Sequence, residues 1–399
     1  MKTISAEYIF TCNSKSEVIK NGYIIFNDFG EIIDVLDEKS FSINYENSND
    51  IKHYNGIICP GFINCHCHLE LSYLKKKINK NNGLSAFILD IEKNKSKNIE
   101  EIKKAIHKAD ELMCKNGIVA VADISNTNNT LEIKKNSKIK YYNFIEVFGF
   151  NPSSADVKFN EALTVYNDFT NLLGEDNCSI VPHSPYSVSD KLLQMIVNFN
   201  EGKKSIISIH NQESEDENKM FLSKEGEIIE HIKKLGIKTE TWQATGKNSL
   251  ESVVLNLSNK TKTLLVHNLF TSNEDIYNAN KYFDELFWCF CANSNLFIQN
   301  KIPDINLFLS QAQTIVLGTD SLASNENLDI LQEIKTINNN FPKIDLVEVF
   351  KWATINGANL LNIKDKFGSI EKTKKPGLNF INNTKEGRIT YNSEVTKII

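Results

Sequence analysis

The chain has 399 residues, of which 41% are hydrophobic and 24% charged, a composition typical of globular rather than disordered or fibrous proteins. Its formal net charge of -5 argues against nucleic acid as a main partner, because binding a phosphate backbone needs a basic face. The segment MKTISAEYIFTCNS lacks the apolar core of a signal peptide, and no run of about 18 apolar residues follows it. We therefore expect a cytoplasmic protein that does not enter a membrane.

Both ends of the chain contain short β-type stretches separated by polar turns. The first 55 residues contain EYIFTC, GYIIFND and EIIDVLD, and the last residues contain GSIEK, GLNFINN and GRITYN. The eight cysteines include no C-x-x-C pair, and most fall in or beside apolar stretches, so we predict buried reduced thiols rather than a disulfide framework.

The middle of the chain alternates apolar, β-branched runs with amphipathic segments. Eight runs are predicted strands, at residues 56–68, 117–123, 139–149, 178–184, 205–211, 262–268, 285–293 and 313–320. Between them, apolar residues recur every three to four positions in predicted helices at 99–117, 189–200 and 224–236. Eight strand–helix units predict an α/β protein with a (β/α)8 TIM-like barrel. A doubly wound open sheet is the alternative, and the lack of a glycine-rich phosphate loop argues against it.

The stretches KINKNNG and NTNNTLEIKKNSK, rich in Asn and Lys, are interpreted as solvated loops. Polar residues also follow the predicted strands at their C-terminal ends, which form the active-site face of barrel enzymes. Five of the eight histidines and one aspartate occupy such ends: His66, His68, His183, His210, His267 and Asp320. The other three histidines (His53, His107 and His231) fall in a loop or on helices, and we expect them at the surface.

His66 and His68 are two positions apart on the first predicted strand, so their side chains point to the same side. Two neutral imidazoles side by side suit a divalent cation of intermediate softness. A structural zinc site using Cys65 and Cys67 as well is the alternative. Strand alternation argues against it, because these two cysteines face away from the histidines.

Glu213 follows His210 by three residues and is either a proton shuttle beside a metal-activated water or one of several acids that begin a helix. Both interpretations remain open on the residues alone. Asp320 closes an apolar strand, where burying a carboxylate is costly unless it is paired or bound to a cation. Capping of the next helix by Asp320 or Ser321 is the alternative. His267 is likewise a group able to carry charge at the end of an apolar strand.

Several segments, taken together and in order, resemble the amidohydrolase superfamily, specifically its branch of mononuclear deaminases and chlorohydrolases, such as cytosine, adenosylhomocysteine and aminofutalosine deaminases. They are PGFINCHCHLELS (60–72), PHSPYSVS (182–189), IHNQESEDE (209–217), VHN (266–268), CANSN (291–295), LGTDSLASN (317–325), ATINGANLL (353–361) and GSIE (368–371). The string HLELS is similar to that of aminofutalosine deaminases, which keep an acid soon after the histidine pair.

The resemblance implies a barrel domain at residues 56–365 and a small β-sandwich built from residues 1–55 plus 366–399. It also implies one divalent metal ion, zinc or ferrous iron, on four ligands: His66, His68, His210 and Asp320. Binuclear members carry a lysine at the end of strand four, and SIVPHSPYS contains none, which favours a single metal.

The implied reaction is hydrolytic deamination of a purine, pterin or nucleoside-like small molecule, with hydroxide attacking the amine-bearing carbon and ammonia leaving. Glu213, His267 and Asp320 are the expected catalytic residues. The expected substrate-binding residues are His183, from the resemblance, and three that follow strand ends or lie in long loops: Glu70, Glu146 and Trp242. Removal of halide and cleavage of an amide or cyclic amide are alternatives, as is a metal-binding barrel without activity. A homodimer is a family-level expectation.

Overall fold

The structure is a computed structural model that describes residues 1–44 and 51–399, so residues 45–50 of the expected N-terminal segment lie outside the described residues. The described residues form these strands: β1 (Lys2–Phe10), β2 (Val18–Phe26), β3 (Ile32–Leu36), β4 (Ile51–Pro60), β5 (Phe62–Cys67), β6 (Ile118–Ser125), β7 (Lys140–Val147), β8 (Cys178–Pro182), β9 (Ile206–Asn211), β10 (Lys262–His267), β11 (Leu286–Phe290), β12 (Ile315–Leu317), β13 (Leu378–Ile381) and β14 (Val395–Lys397).

The α-helices lie mainly between the strands of the middle section and cover them. They are α1 (Glu38–Asn44), α2 (Gly83–Lys93), α3 (Ile99–Lys115), α4 (Leu131–Asn136), α5 (Ala155–Leu173), α6 (Asp190–Asn200), α7 (Glu215–Ser223), α8 (Glu227–Lys234), α9 (Ser249–Ser252), α10 (Asn273–Tyr282), α11 (Ala292–Gln299), α12 (Ile305–Ser310), α13 (Ile330–Asn340), α14 (Leu346–Trp352) and α15 (Ile355–Leu360). The three helices predicted from apolar periodicity are confirmed as α3, α6 and α8.

The two chain ends form one six-stranded sheet in the order β14-β13-β4-β1-β2-β3. Alternate residues of its strands pack into a small separate core that includes Ile9, Ile24 and Leu378. The predicted stretch GLNFINN is confirmed as β13, but GSIEK and GRITYN are not strands. In the latter, Thr390 and Ser393 donate side-chain hydrogen bonds to the carbonyl of Asn383, which closes a turn instead of pairing with a neighbouring strand.

Two four-stranded sheets form the middle section, in the orders β5-β6-β7-β8 and β12-β11-β10-β9, and all neighbouring strands within them are parallel. Backbone hydrogen bonds cross between the sheets at both edges. At one edge the His210 amide donates to the His183 carbonyl at 2.9 Å. At the other edge the Thr319 and Asp320 amides donate to the His66 carbonyl, each at 3.0 Å. The α/β class and the eight predicted parallel strands are thereby confirmed, and their C-terminal ends lie together.

The predicted strand 56–68 is divided, because its first residues belong to β4 of the terminal sheet and only the later ones form β5. Gly61 separates the two strands. A Cβ there would lie 2.3 Å from Val119 Cγ1 and 2.8 Å from the Pro376 carbonyl, so only glycine lets the backbone change sheets at this close contact.

Two predictions about individual residues need correction. His231 is buried on α8, not at the surface, whereas His53 is exposed as predicted but lies in β4, with its ring bonded to the Ser5 hydroxyl. Lys134, within a stretch interpreted as a solvated loop, is fully buried on α4, where its ammonium contacts Asp123 at 2.6 Å. All eight cysteines are free thiols as predicted, and only Cys114 is partly exposed. Over the described ranges, no helix has the length and apolar character needed to cross a bilayer.

Candidate metal centre and substrate cavity

Three imidazoles meet at the C-terminal ends of β5 and β9. His68 Nε2 lies 3.2 Å from His66 Nε2 and 3.3 Å from His210 Nε2. Burial first, and then the neighbouring histidines, hold the pKa values of His66 and His210 well below the usual range, so both rings are neutral. Neutral rings leave nitrogen lone pairs converging on one point.

Asp320 adds a carboxylate to the same point. Its Oδ1 lies 3.6 Å from His68 Nε2 and 3.9 Å from His66 Nε2, while Oδ2 accepts hydrogen bonds from Ser294 at 2.6 Å and Ser324 at 2.7 Å. Burial raises the pKa of Asp320, but the histidines and the two hydroxyls outweigh it and bring the pKa to about 2. The backbone at Asp320 has φ +57°, which is a left-handed conformation. The hydrogen bond that the Asp320 amide donates to the His66 carbonyl holds it there.

The three histidines fit a divalent metal ion, and the Asp320 carboxylate lies beside two of them. A tetrahedral zinc ion holds nitrogen ligands at about 2.0–2.1 Å, which separates neighbouring donor atoms by about 3.3 Å. The observed separations of 3.2, 3.3, 3.6 and 3.9 Å are close to that value. The cysteines adjacent to these histidines take no part, since Cys65 and Cys67 are buried in the hydrophobic core. The three histidines form a group able to hold a metal.

Glu213 and His267 lie beside this centre. His267 Nε2 is 3.7 Å from Glu213 Oε1, and His267 Nδ1 lies 2.8 Å from Asn295 Oδ1. Because a carbonyl oxygen only accepts, Nδ1 of His267 carries the ring proton and Nε2 is left as an acceptor towards the cavity. Burial, with Asp320 nearby, raises the pKa of Glu213 to about 8, within the range in which a carboxyl group can both take and give a proton at neutral pH.

The turn that carries Glu213 is fixed by the start of α7. Ser214 caps the helix by accepting from the Glu217 amide at 3.2 Å. The buried Glu217 carboxylate reaches back and accepts from the amides of Gln212 at 2.9 Å and Glu213 at 3.1 Å. Glu213 therefore precedes the helix and lines the cavity, while the acids that begin the helix are Glu215, Asp216 and Glu217.

A second ion pair lines the cavity where His183 Nδ1 donates to Glu146 Oε1 at 2.7 Å. Burial opposes the charge on both groups, but their attraction outweighs it, so the pKa of His183 is raised and that of Glu146 is lowered. Asn126 connects this pair to Glu70, because its Nδ2 donates to Glu146 Oε2 at 3.0 Å and its amide donates to Glu70 Oε2 at 2.8 Å.

The cavity above these groups has a volume of about 400 Å³. Its inner end is polar and holds all but two of the predicted site residues: His68, Glu70, Glu146, His183, His210, Glu213, His267 and Asp320. Its apolar lining comes from Leu71, Tyr73, Leu84, Phe87, Ile88, Ile91 and Ile102, with Glu92, Lys95 and Ser96 beside them in sequence. His66 is buried beneath the cavity floor.

The structure does not bring Trp242 to the cavity. Its ring packs against Phe150 and Phe221, at ring-centre distances of 6.2 and 5.6 Å, in the long connection after α8. Sequence reasoning also missed two cavity residues, Asn126 and Thr127, which belong to the stretch interpreted as a solvated loop. Their position just after the second predicted strand (117–123), which the structure extends to Ser125, was the available signal.

The sequence pattern of the amidohydrolase family matches residues 57–398, and the chain belongs to that family. Over 381 residues it is 26% identical to an adenosine deaminase of Helicobacter pylori, covering 94% of this chain and 90% of the relative. Over 385 residues it is 26% identical to a 5-methylthioadenosine/S-adenosylhomocysteine deaminase of Bacillus cereus, covering 92% of this chain and 82% of the relative. The crystal structure of Helicobacter pylori aminofutalosine deaminase in complex with methylthio-coformycin superimposes with a TM-score of 0.83 at 21% identity over 100% of both chains.

Family, relatives and site agree on the class of reaction. The protein is a metal-dependent hydrolase of carbon–nitrogen bonds, a deaminase of an aminated heterocycle. The resemblance stated from the ordered sequence segments is thereby confirmed.

Proposed function

We propose that the two parallel sheets are one closed (β/α)8 barrel spanning residues 56–365, with a small β-sandwich domain formed by residues 1–55 and 366–399. The hydrogen bonds at both sheet edges support closure, since they connect β8 to β9 and the segment after β12 to β5. In a closed barrel the strand ends form one active-site face, which accounts for the convergence of the site residues.

His66, His68, His210 and Asp320 hold one divalent metal ion in this proposal. Three imidazoles and one carboxylate favour zinc, and ferrous iron is the alternative. Glu146, His183 and His210 form a second group with compatible spacing. The first two are already paired with each other at 2.7 Å, which argues against a second metal there.

The reaction depends on residues that face this ion. When bound, a divalent metal lowers the pKa of a water molecule to about 7 and so makes hydroxide available at neutral pH. Glu213 takes the proton of the attacking water and passes it to a ring nitrogen of the substrate. His267 orients the water through its unprotonated Nε2, and Asp320 helps carry a proton to the departing ammonia. His183, fixed by Glu146, presents its Nε2 to the heterocycle.

The substrate in this proposal is an adenine nucleoside whose 5′ end carries an uncharged apolar group. The lining of the cavity carries this assignment: the proposed metal centre and the polar Glu70–Asn126 pair share the cavity with apolar side chains, including Phe87 and Ile102, beside which we place the 5′ end. At that end Lys95 is already paired with Glu92 at 2.6 Å. The chain's single arginine, Arg388, lies in the terminal region, so no free arginine can receive an anionic tail.

A comparison of three substrates tests this assignment. We expect kcat/KM for ammonia release to be highest for 5′-methylthioadenosine and lower for adenosine, by about 10- to 200-fold for loss of the apolar group. S-adenosylhomocysteine, with its charged tail, should be turned over more slowly than 5′-methylthioadenosine. Equal or faster turnover of S-adenosylhomocysteine would contradict the assignment of the tail.

Release of chloride from a chlorinated heterocycle, or of a ring-opened acid from a cyclic amide, would instead support the alternative activities. A cytoplasmic location and a homodimer complete the proposal, and light scattering on the purified protein tests the dimer.

A further inference from the structure

Glu333 is a fully buried carboxylate on α13 that does not line the cavity. Three amide N–H groups converge on its two oxygens. The Asn293 amide donates to Oε2 at 3.0 Å, Asn293 Nδ2 donates to Oε1 at 2.9 Å, and Asn325 Nδ2 donates to Oε1 at 3.0 Å. All three partners are neutral, so the carboxylate is buried at a cost that a purely apolar side chain would not carry.

The two asparagines are adjacent in sequence to residues that form hydrogen bonds with Asp320 or His267. Asn293 lies in the first turn of α11, where the next residue, Ser294, donates to Asp320 Oδ2 and Asn295 accepts from His267 Nδ1. Asn325 follows Ser324, which also donates to Asp320 Oδ2, and Asn325 itself donates to the Thr319 carbonyl at 2.9 Å. One buried carboxylate therefore connects the two segments that hold Asp320 and His267.

We propose that Glu333 is a positioning residue for the metal centre, which fixes the Asp320 carboxylate and the His267 ring by holding α11 and the loop 321–325 together. This inference rests on the metal ligands proposed above. It adds a residue outside the cavity to the groups that position Asp320 and His267.

The donor pattern explains why a carboxylate is needed. Glutamine offers one acceptor oxygen and one NH2 group, so in either orientation an amide donor of Asn293 or Asn325 faces another donor. A buried donor without an acceptor is costly, and the two segments would have to shift to find other partners. Because Ser294 and Ser324 are adjacent to the displaced asparagines, the shift changes the geometry of Asp320.

The test uses Glu333→Gln with Ile337→Ala as the matched control. Ile337 is buried on the same helix one turn later and contacts neither segment through a polar group, so its truncation destabilises α13 without touching the amide network. Both variants are prepared with zinc and, separately, with cobalt(II), whose visible spectrum reports the geometry of the ligands. Glu333→Gln should lower kcat by about 10- to 100-fold with KM changed little, and should shift the cobalt spectrum. Ile337→Ala should keep the wild-type kcat and spectrum although its Tm falls.

Wild-type kcat and cobalt spectrum in Glu333→Gln, with only Tm reduced, would overturn the proposal and leave Glu333 as a structural residue. If Glu333→Gln does not fold, Asn325→Ala removes one of the three donors and should shift the spectrum in a folded protein, with a kcat loss of about 3- to 10-fold. An unchanged spectrum in Asn325→Ala would then overturn it. The cobalt spectrum needs no substrate, so an error in the proposed substrate does not affect this readout.

Discussion

The Nδ1–H group of His210 donates a hydrogen bond to the backbone carbonyl of His183, 2.8 Å away. This bond fixes the tautomer of His210, so its Nε2 keeps a lone pair on the side of His68 Nε2, 3.3 Å away. It also joins the ends of β8 and β9, so the proposed metal site and His183 are held in one geometry.

Replacing Glu213 with glutamine should leave the metal bound but remove the group that moves protons. We expect kcat to fall by about 10²- to 10⁴-fold, the usual contribution of general acid–base catalysis. Glu215→Gln is the matched control, because that side chain is 66% exposed at the start of α7. Metal analysis and ammonia release measure the two effects, and near-normal turnover in Glu213→Gln would exclude the proton-shuttle role.

Phe87 and Leu89 lie on different sides of α2, and only Phe87 lines the substrate cavity. Phe87→Ala should raise KM for 5′-methylthioadenosine by about 10-fold or more, since it removes apolar contact with the tail, while KM for adenosine changes little. Leu89→Ala should leave both KM values near wild type. A similar change for both nucleosides in Phe87→Ala would place the tail elsewhere.

Breaking the buried pair of Lys134 and Asp123 is expected to destabilise the fold strongly. Lys134→Met leaves the Asp123 carboxylate without its 2.6 Å partner and should lower the free energy of unfolding by about 3–5 kcal/mol. Lys135→Met, on the exposed side of the same helix, should change it by less than about 0.5 kcal/mol. Urea denaturation measures the free energy of unfolding of both variants. Equal losses in the two variants would show that the contact between Lys134 and Asp123 has no specific effect on stability.

Glu217 should make stability depend on pH. Burial raises its pKa from 4.5 to about 7, so the folded state binds the proton more tightly than the unfolded state. Its contribution is fully present below pH 4.5 and is lost as pH rises through about 7. Between these values wild type should therefore lose more stability than Glu217→Gln, measured as the difference in urea midpoint. The control Glu227→Gln changes an exposed side chain, so its urea midpoint should depend on pH as that of wild type does. If the urea midpoint of Glu217→Gln also changed with pH in parallel with wild type, the raised pKa of Glu217 would be contradicted.

The proposed metal ligands were accessible from the sequence because each lies at the end of a strongly apolar strand. His66, His68, His210 and Asp320 break the hydrophobic pattern at positions that a parallel strand arrangement brings together. The supporting residues were not accessible in this way. Asn295 and Glu333 act through hydrogen bonds between residues 28 and 40 positions apart, and no local pattern specifies such pairs.

Local composition was also misleading at three places. Lys134 and Asn126 belong to a polar stretch that looks solvated, yet Lys134 is buried against Asp123, and Asn126, although exposed, lines the cavity. Trp242 was expected in the cavity from its long loop, but packing against Phe150 and Phe221 holds it elsewhere. In each case tertiary contacts decide a position that composition alone leaves open.

The most direct test of the account is a zinc titration of the chelator-stripped protein, followed by ammonia release from 5′-methylthioadenosine. We predict no release without metal, and activity that rises in proportion to added zinc and reaches its maximum at one equivalent per chain. Release that is independent of metal, or that needs two equivalents for its maximum, would contradict a single-metal deaminase built on His66, His68, His210 and Asp320.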